Sequence, residues 1–187
     1  MVKIENKNYS DVTDKWNRRR KNYSGFIVKE RDYVKVNGVI HRIKKRSNAV
    51  VPNSDPNARK IANWLGQTFG GKIFINPEVH IPQKVPTSDF SFRGKPWEQK
   101  TISGNGKRII DTRVRDGKNQ ASNFIFDLSN SELTTADIKR QLSGIYNAKE
   151  RRWVNAIIIK RGNNYNVFSR KKRSSSPLQK HGVAGNL

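Results

Sequence analysis

Apolar and polar positions alternate from Gly25-Phe26-Ile27-Val28 through Tyr33-Val34-Lys35-Val36, the period of two expected of strands, and again over Val39 to Ile43. Asn37-Gly38 between them predicts a tight hairpin, because both turn positions favour residues that tolerate positive φ. The pattern then changes to a helical period: Ala58, Ile61, Ala62, Leu65 and Phe69 share one face. Asp55 is placed to cap that helix, Pro56 to begin it and Gly70-Gly71 to end it. A short strand over 72–75 leads into a Pro-punctuated loop at 77–86.

Ser88 to Phe92 and Trp97 to Ile102 predict two strands around Arg93-Gly94-Lys95-Pro96. A basic helix follows over 107–118 with Ile110 and Val114 inward, then a buried strand from Asn123 to Leu128. Thr134 with Asp137 predicts a capped helix whose apolar face is Ile138, Leu142 and Ile145, and Trp153–Lys160 with Tyr165–Ser169 a closing hairpin. The order β-hairpin, α, β, β-hairpin, α, β, α, β-hairpin implies an α+β domain over 25–170, with a mixed or antiparallel sheet flanked by helices.

Charge adds a partner to this outline. Of 187 residues 38 are Lys or Arg and 15 Asp or Glu, a net charge of +23, so a polyanion is the expected partner. Residues 1–50 and 151–187 carry +9 each, leaving a nearly balanced centre. The ends are therefore expected to be a basic arm at 1–24, with Arg18-Arg19-Arg20-Lys21, and a disordered basic tail at 171–187. The absence of Cys excludes disulfides, thiolate metal sites and a cysteine nucleophile. No apolar run is long enough to span a membrane, and the charged start is unlike a signal peptide.

The chemistry gathers in Asp89-Phe90-Ser91-Phe92-Arg93-Gly94-Lys95-Pro96-Trp97-Glu98-Gln99-Lys100. Folded about Gly94-Lys95, the hairpin sets Asp89 opposite Lys100 and Ser91 opposite Glu98. Asp89, Ser91, Glu98 and Lys100 then share one face, and Phe90, Phe92, Trp97 and Gln99 the other. Two carboxylates on neighbouring strands suit a divalent cation such as Mg²⁺, and Lys100 is placed to orient a water or offset phosphate charge. The same four residues on an exposed sheet would make only a cross-strand salt-bridge cluster.

Asp89 followed by Glu98-Gln99-Lys100 resembles the core hairpin of the PD-(D/E)xK nucleases, with Ser88 in place of the motif's Pro. That superfamily's core order (αβββαβ) fits residues 55–128, between the hairpin at 25–45 and the helix and hairpin at 134–170. A longer series is more specific: Ala62-Asn63-Trp64-Leu65-Gly66-Gln67-Thr68-Phe69-Gly70-Gly71, Pro86-Thr87-Ser88-Asp89-Phe90, Trp97-Glu98-Gln99-Lys100 and Asn119-Gln120-Ala121-Ser122-Asn123-Phe124-Ile125-Phe126-Asp127. Together these resemble the C-terminal tRNase domain of CdiA-type contact-dependent inhibition toxins, a domain also attached to phage minor capsid proteins. The resemblance implies endonucleolytic RNA cleavage, of tRNA above all, in a bacterial cytoplasm, with an acidic cognate immunity protein as partner. It makes Asp89 and Glu98 metal ligands and Lys100 the catalytic cation, and it raises Gln120 to a further catalytic candidate. The helix Glu that many PD-(D/E)xK enzymes carry is missing from 58–69.

Lys107, Arg108, Arg113, Arg115 and Lys118 are expected to meet a phosphate backbone if their helix lines a cleft. His41, His80 and His181 lack metal-ligand spacing, although His80 is a candidate general acid for a metal-free RNase. The same residues also fit a structure-specific DNA endonuclease of the junction-resolvase kind, and the charge by itself fits a non-catalytic nucleic-acid-binding module.

Overall fold

The computed structural model describes residues 6–83 and 85–171. His181 and, apart from Lys171, the expected tail lie outside the described residues. The chain opens with β1 (Tyr9–Asp11) and α1 (Thr13–Arg20), then β2 (Phe26–Glu30), β3 (Tyr33–Val36), β4 (Val39–Arg42) and β5 (Val50–Val51). Next come α2 (Pro56–Phe69), β6 (Gly71–Ile75), β7 (Glu78–Val79), β8 (Phe90–Phe92) and β9 (Lys95–Thr101). The remainder is α3 (Ile109–Asp116), β10 (Asn123–Asp127), α4 (Thr135–Asn147), a 3₁₀ turn (Lys149–Arg151), β11 (Ala156–Arg161) and β12 (Asn164–Arg170).

Eight strands form one mixed sheet in the order β1-β12-β11-β10-β9-β8-β6-β2. Its middle, β9-β10-β11, is parallel, so α3 and α4 are the crossovers between these strands. On the same face, α3 and α4 cover Phe124, Phe126, Ile157 and Ile159. Helix α2 packs on the opposite face, over Phe90, Phe92, Trp97, Ile125 and Ile158. Strand β10, buried on both sides, reads as the unbroken apolar run Phe124-Ile125-Phe126 for that reason.

Helix α2 starts where Asp55 accepts a hydrogen bond from Asn57 N, and ends at Gly70 with φ of 69°. Helix α4 carries the full capping box between Thr134 and Asp137. No helix among the described residues is long and apolar enough to cross a membrane.

Three expectations are corrected. The run over 25–36 is two strands: the chain leaves the sheet at Arg31-Asp32, β2 runs parallel to β6, and only β3 and β4 make the Asn37-Gly38 hairpin. Within the expected arm at 1–24, the described residues 6–24 are instead part of the fold. Strand β1 pairs with β12, Tyr9 is fully buried against Tyr146, and Trp16 on α1 packs edge-on against Phe69 and Trp97. Its arginines lie on the outer surface of a helix that one aromatic side chain ties to the core.

The third correction concerns the β8–β9 hairpin. Phe92 pairs with Lys95, Ser91 with Pro96 and Phe90 with Trp97, a register two residues from the expected one. The turn is Arg93-Gly94, with φ of 50° and 69°, so both central residues have the positive φ of a tight hairpin turn. A slip of two leaves every side chain on its expected face, because side chains alternate with a period of two.

Candidate active site

Asp89 immediately precedes β8, and Glu98 and Lys100 lie on β9. Gln99 N donates to Asp89 Oδ2 at 2.7 Å, which ties the first carboxylate to the backbone beside the second. Glu98 is 1% exposed, and its Oε1 accepts from Lys100 Nζ at 2.5 Å. Its other oxygen, Oε2, is buried without a hydrogen-bond partner. Glu98 shares its sheet face with Phe124 of β10, and Gly117 at the end of α3 stands over both.

This environment opposes ionisation. Burial pushes the Asp89 carboxyl up to about 6. Burial, reinforced by the charge of Asp89, pushes Glu98 up to about 7, and Lys100 pulls the other way. A buried and a half-buried carboxylate, both with raised pKa, and one unpartnered oxygen are what a bound cation would relieve. Among the described residues no group of three or more His, Asp or Glu gathers. A Mg²⁺ ion held by Asp89 and Glu98 would therefore complete its shell with water, backbone carbonyls or substrate phosphate oxygens.

The structure brings Asp89, Glu98 and Lys100 together as expected and gives Gln120 a different part. Gln120 Nε2 donates to Thr87 O at 3.2 Å, so it holds the segment entering Asp89 from the α3–β10 connection. Asn123 Nδ2 donates to Pro96 O at 2.9 Å, and Ser122 Oγ accepts from Asn155, which leaves both bracing the strands.

The basic residues around α3 divide. Lys118 follows the helix end that reaches Glu98 through Gly117. Lys107 and Arg108 lie at the opposite end of the helix, about 12 Å along its axis at 1.5 Å per residue. Arg108 and Arg115 pair with Asp111, and Arg113 with Asp116, so much of the helix's charge is balanced within it. His80 is exposed beside Glu78, 3.4 Å away, and His41 sits on the β3–β4 hairpin.

Asn76 is the residue that sequence reasoning missed. Buried at the end of β6, its Nδ2 donates to Ser88 O at 3.0 Å and Ser88 Oγ at 3.1 Å, and its backbone N donates to Asp89 O at 2.9 Å. Its Oδ1 accepts from Ser91 Oγ at 3.2 Å. Asn76 thus fixes the chain on both sides of Asp89. Followed by Pro77, it has the sequence signature of an ordinary turn, and only its burial reveals the role.

Residues 86–165 match the family of contact-dependent growth inhibition CdiA C-terminal domains. Among solved structures, a chain of the CdiA-CT/CdiI toxin and immunity complex from Burkholderia pseudomallei is similar at 21% identity, with a TM-score of 0.41. That similarity covers 69% of this chain and 94% of the other. No curated protein matches the chain. The matched segment contains Asp89, Glu98, Lys100 and Gln120.

Proposed function

We propose that the chain, whose residues 86–165 match the contact-dependent growth inhibition CdiA C-terminal domain family, is an antibacterial toxin acting as a metal-assisted endonuclease on RNA, with tRNA as substrate. The observation that carries this reading is the half-buried Asp89 beside the fully buried Glu98, with Lys100 on Glu98. Carboxylates buried without a task are costly, since each resists ionisation where it sits.

A divalent cation bound at the pair would polarise a phosphodiester oxygen and make a bound water more acidic. Asp89 and Glu98 supply the anionic oxygens that hold it, and Asn76 and Gln120 keep Asp89 in register with Glu98. The Lys100 ammonium favours the ionised form of Glu98 and stands where it can meet the negative charge that builds on phosphate. A net charge of +23 draws the phosphate chain in. It also suits an acidic immunity protein, the partner proposed for the producing cell, while cleavage takes place in the target cell's cytoplasm.

Incubation with tRNA, single-stranded DNA and branched duplex, each in Mg²⁺ and in EDTA, tests the reading. Cleavage of tRNA only with Mg²⁺ is expected. Cutting that persists in EDTA would move the chemistry to a metal-free mechanism, and cutting confined to branched DNA would overturn the substrate.

A further inference from the structure

Helices α3 and α4 cover one face of the sheet only from β9 to β12. On that same face, across β8, β6 and β2, the side chains are Ser91, then Phe74 and Lys72, then Ile27, as the pairings Ser91–Phe74 and Lys72–Ile27 require. Among the described residues no helix lies over them, and a cavity of about 620 Å³ opens there. Arg93 of the hairpin turn, Arg31 and Ile27 are among its lining residues, and Ile27 is 46% exposed. Arg31 and Lys72 on this face are cationic and no lining residue is acidic, while the Arg93 guanidinium turns to Trp16 and donates to Phe69 O.

The floor carries a guanidinium over an aromatic ring. The Arg31 guanidinium carbon lies 4.3 Å above the centre of the Phe74 ring, and Arg31 Nη1 donates to Ser91 Oγ at 3.1 Å. A cation is thereby held over an aromatic ring, and both residues line the cavity. Ser91 Oγ also donates to Asn76 Oδ1, and Asn76 N donates to the main-chain carbonyl of Asp89, so one hydrogen-bond path joins the cavity floor to the backbone that carries the first carboxylate. Ser91 is two residues from Asp89, about 7 Å along a strand. The volume falls within the roughly 300–1,000 Å³ of small-molecule pockets.

We propose that this cavity is a nucleobase subsite: it holds one unstacked base of single-stranded RNA beside the bond to be cut, stacked on the Arg31 guanidinium that Phe74 backs, with Lys72 on the adjoining phosphate. The proposal rests on the endonuclease reading of Asp89 and Glu98. Single-stranded RNA is recognised by stacking splayed bases on aromatic rings or on guanidinium planes, and both are layered here next to the reacting centre. The chemistry favours no particular base, since the groups that face the cavity offer a π-surface and charge rather than a fixed donor–acceptor pattern.

The test uses the full chain carrying Lys100→Ala to suppress cleavage, and a short single-stranded RNA with 2-aminopurine at successive positions. Binding should quench the 2-aminopurine at one position. Arg31→Ala should abolish that quench and raise Kd about tenfold, in the range of one lost base stack. Phe74→Leu, which keeps apolar bulk so that the sheet still folds, should weaken the quench, and Phe74→Tyr should retain it. Lys72→Glu should weaken binding more at low salt than at high salt.

Equal quench and affinity in Arg31→Ala and Phe74→Leu, both with the parent's circular dichroism, would overturn the subsite and leave the carboxylate reading intact. Displacement of the RNA by a polyglutamate peptide, with no quench at any position, would also overturn it and mark the face as a protein-docking surface. Position-specific quench in a chain whose Lys100-bearing form cuts no RNA would uphold the subsite while the endonuclease reading falls.

Discussion

Replacing Glu98 by Gln keeps the shape of the side chain and removes its titration. In the native protein the carboxyl is raised from 4.5 to about 7, chiefly by burial and by the charge of Asp89. The folded state therefore holds this proton more tightly than the unfolded chain does. The carboxyl's stabilising contribution is fully present below about pH 4.5 and is lost as the pH rises through 7. At 1.36 kcal/mol per pKa unit, the difference is about 3 kcal/mol. Urea denaturation in EDTA at pH 4.5 and pH 8 should show it: the stability of the parent relative to Glu98→Gln falls by about 3 kcal/mol between the two. Mg²⁺ added at pH 8 should restore part of that loss in the parent, where it binds the ionised pair, and little in the variant. Parallel pH profiles in EDTA, or an equal response to Mg²⁺, would refute the idea that the pair is both strained by burial and relieved by a cation.

Two further substitutions probe what positions the site. Trp16→Ala should cost about 3 kcal/mol, at the low end for a large aromatic because Trp16 is only half-buried, and the loss is measurable as a lower denaturation midpoint; an independent arm at 1–24 would give no change. Gly117→Ala sets a Cβ 2.6 Å from Cε1 of the buried Phe124 and 3.5 Å from Glu98 Cγ. Overpacking of about 1–3 kcal/mol, partly offset by a stiffer unfolded chain, should leave the variant folded, less stable and slower at cleavage, as paired denaturation and cleavage-rate measurements would show.

The helices with local start and stop chemistry were legible from sequence: Asp55-Pro56 and the Thr134–Asp137 box act within a few residues, and the structure places α2 and α4 where they indicate. The face shared by Asp89, Glu98 and Lys100 was legible too, because alternation survives the two-residue slip that the Arg93-Gly94 turn introduces. The place of β1 and α1 was hidden. Arg18-Arg19-Arg20-Lys21 dominates the segment's composition, while Tyr9 and Trp16, too few to make a period, carry its attachment. The break at Arg31-Asp32 was hidden for a different reason. Alternation continues through it, and only pairing with β6 decides where β2 stops. Glu98 reads in sequence as one residue of an open polar face, and its burial comes from Phe124 and Gly117, distant in the chain. The framing of the site by Asn76 depends in the same way on β6 lying beside β8.

The central claim, that this carboxylate pair and its lysine cut RNA, is tested most directly by the cleavage of end-labelled tRNA in Mg²⁺. The parent should be compared with Asp89→Ala, Glu98→Gln and Lys100→Ala, each shown to keep the parent's circular dichroism. The account predicts discrete fragments from the parent and losses of at least about a hundredfold in all three variants, the scale of a lost acid–base or charge-stabilising group. Cleavage at the parent's rate by any one of the folded variants would contradict it.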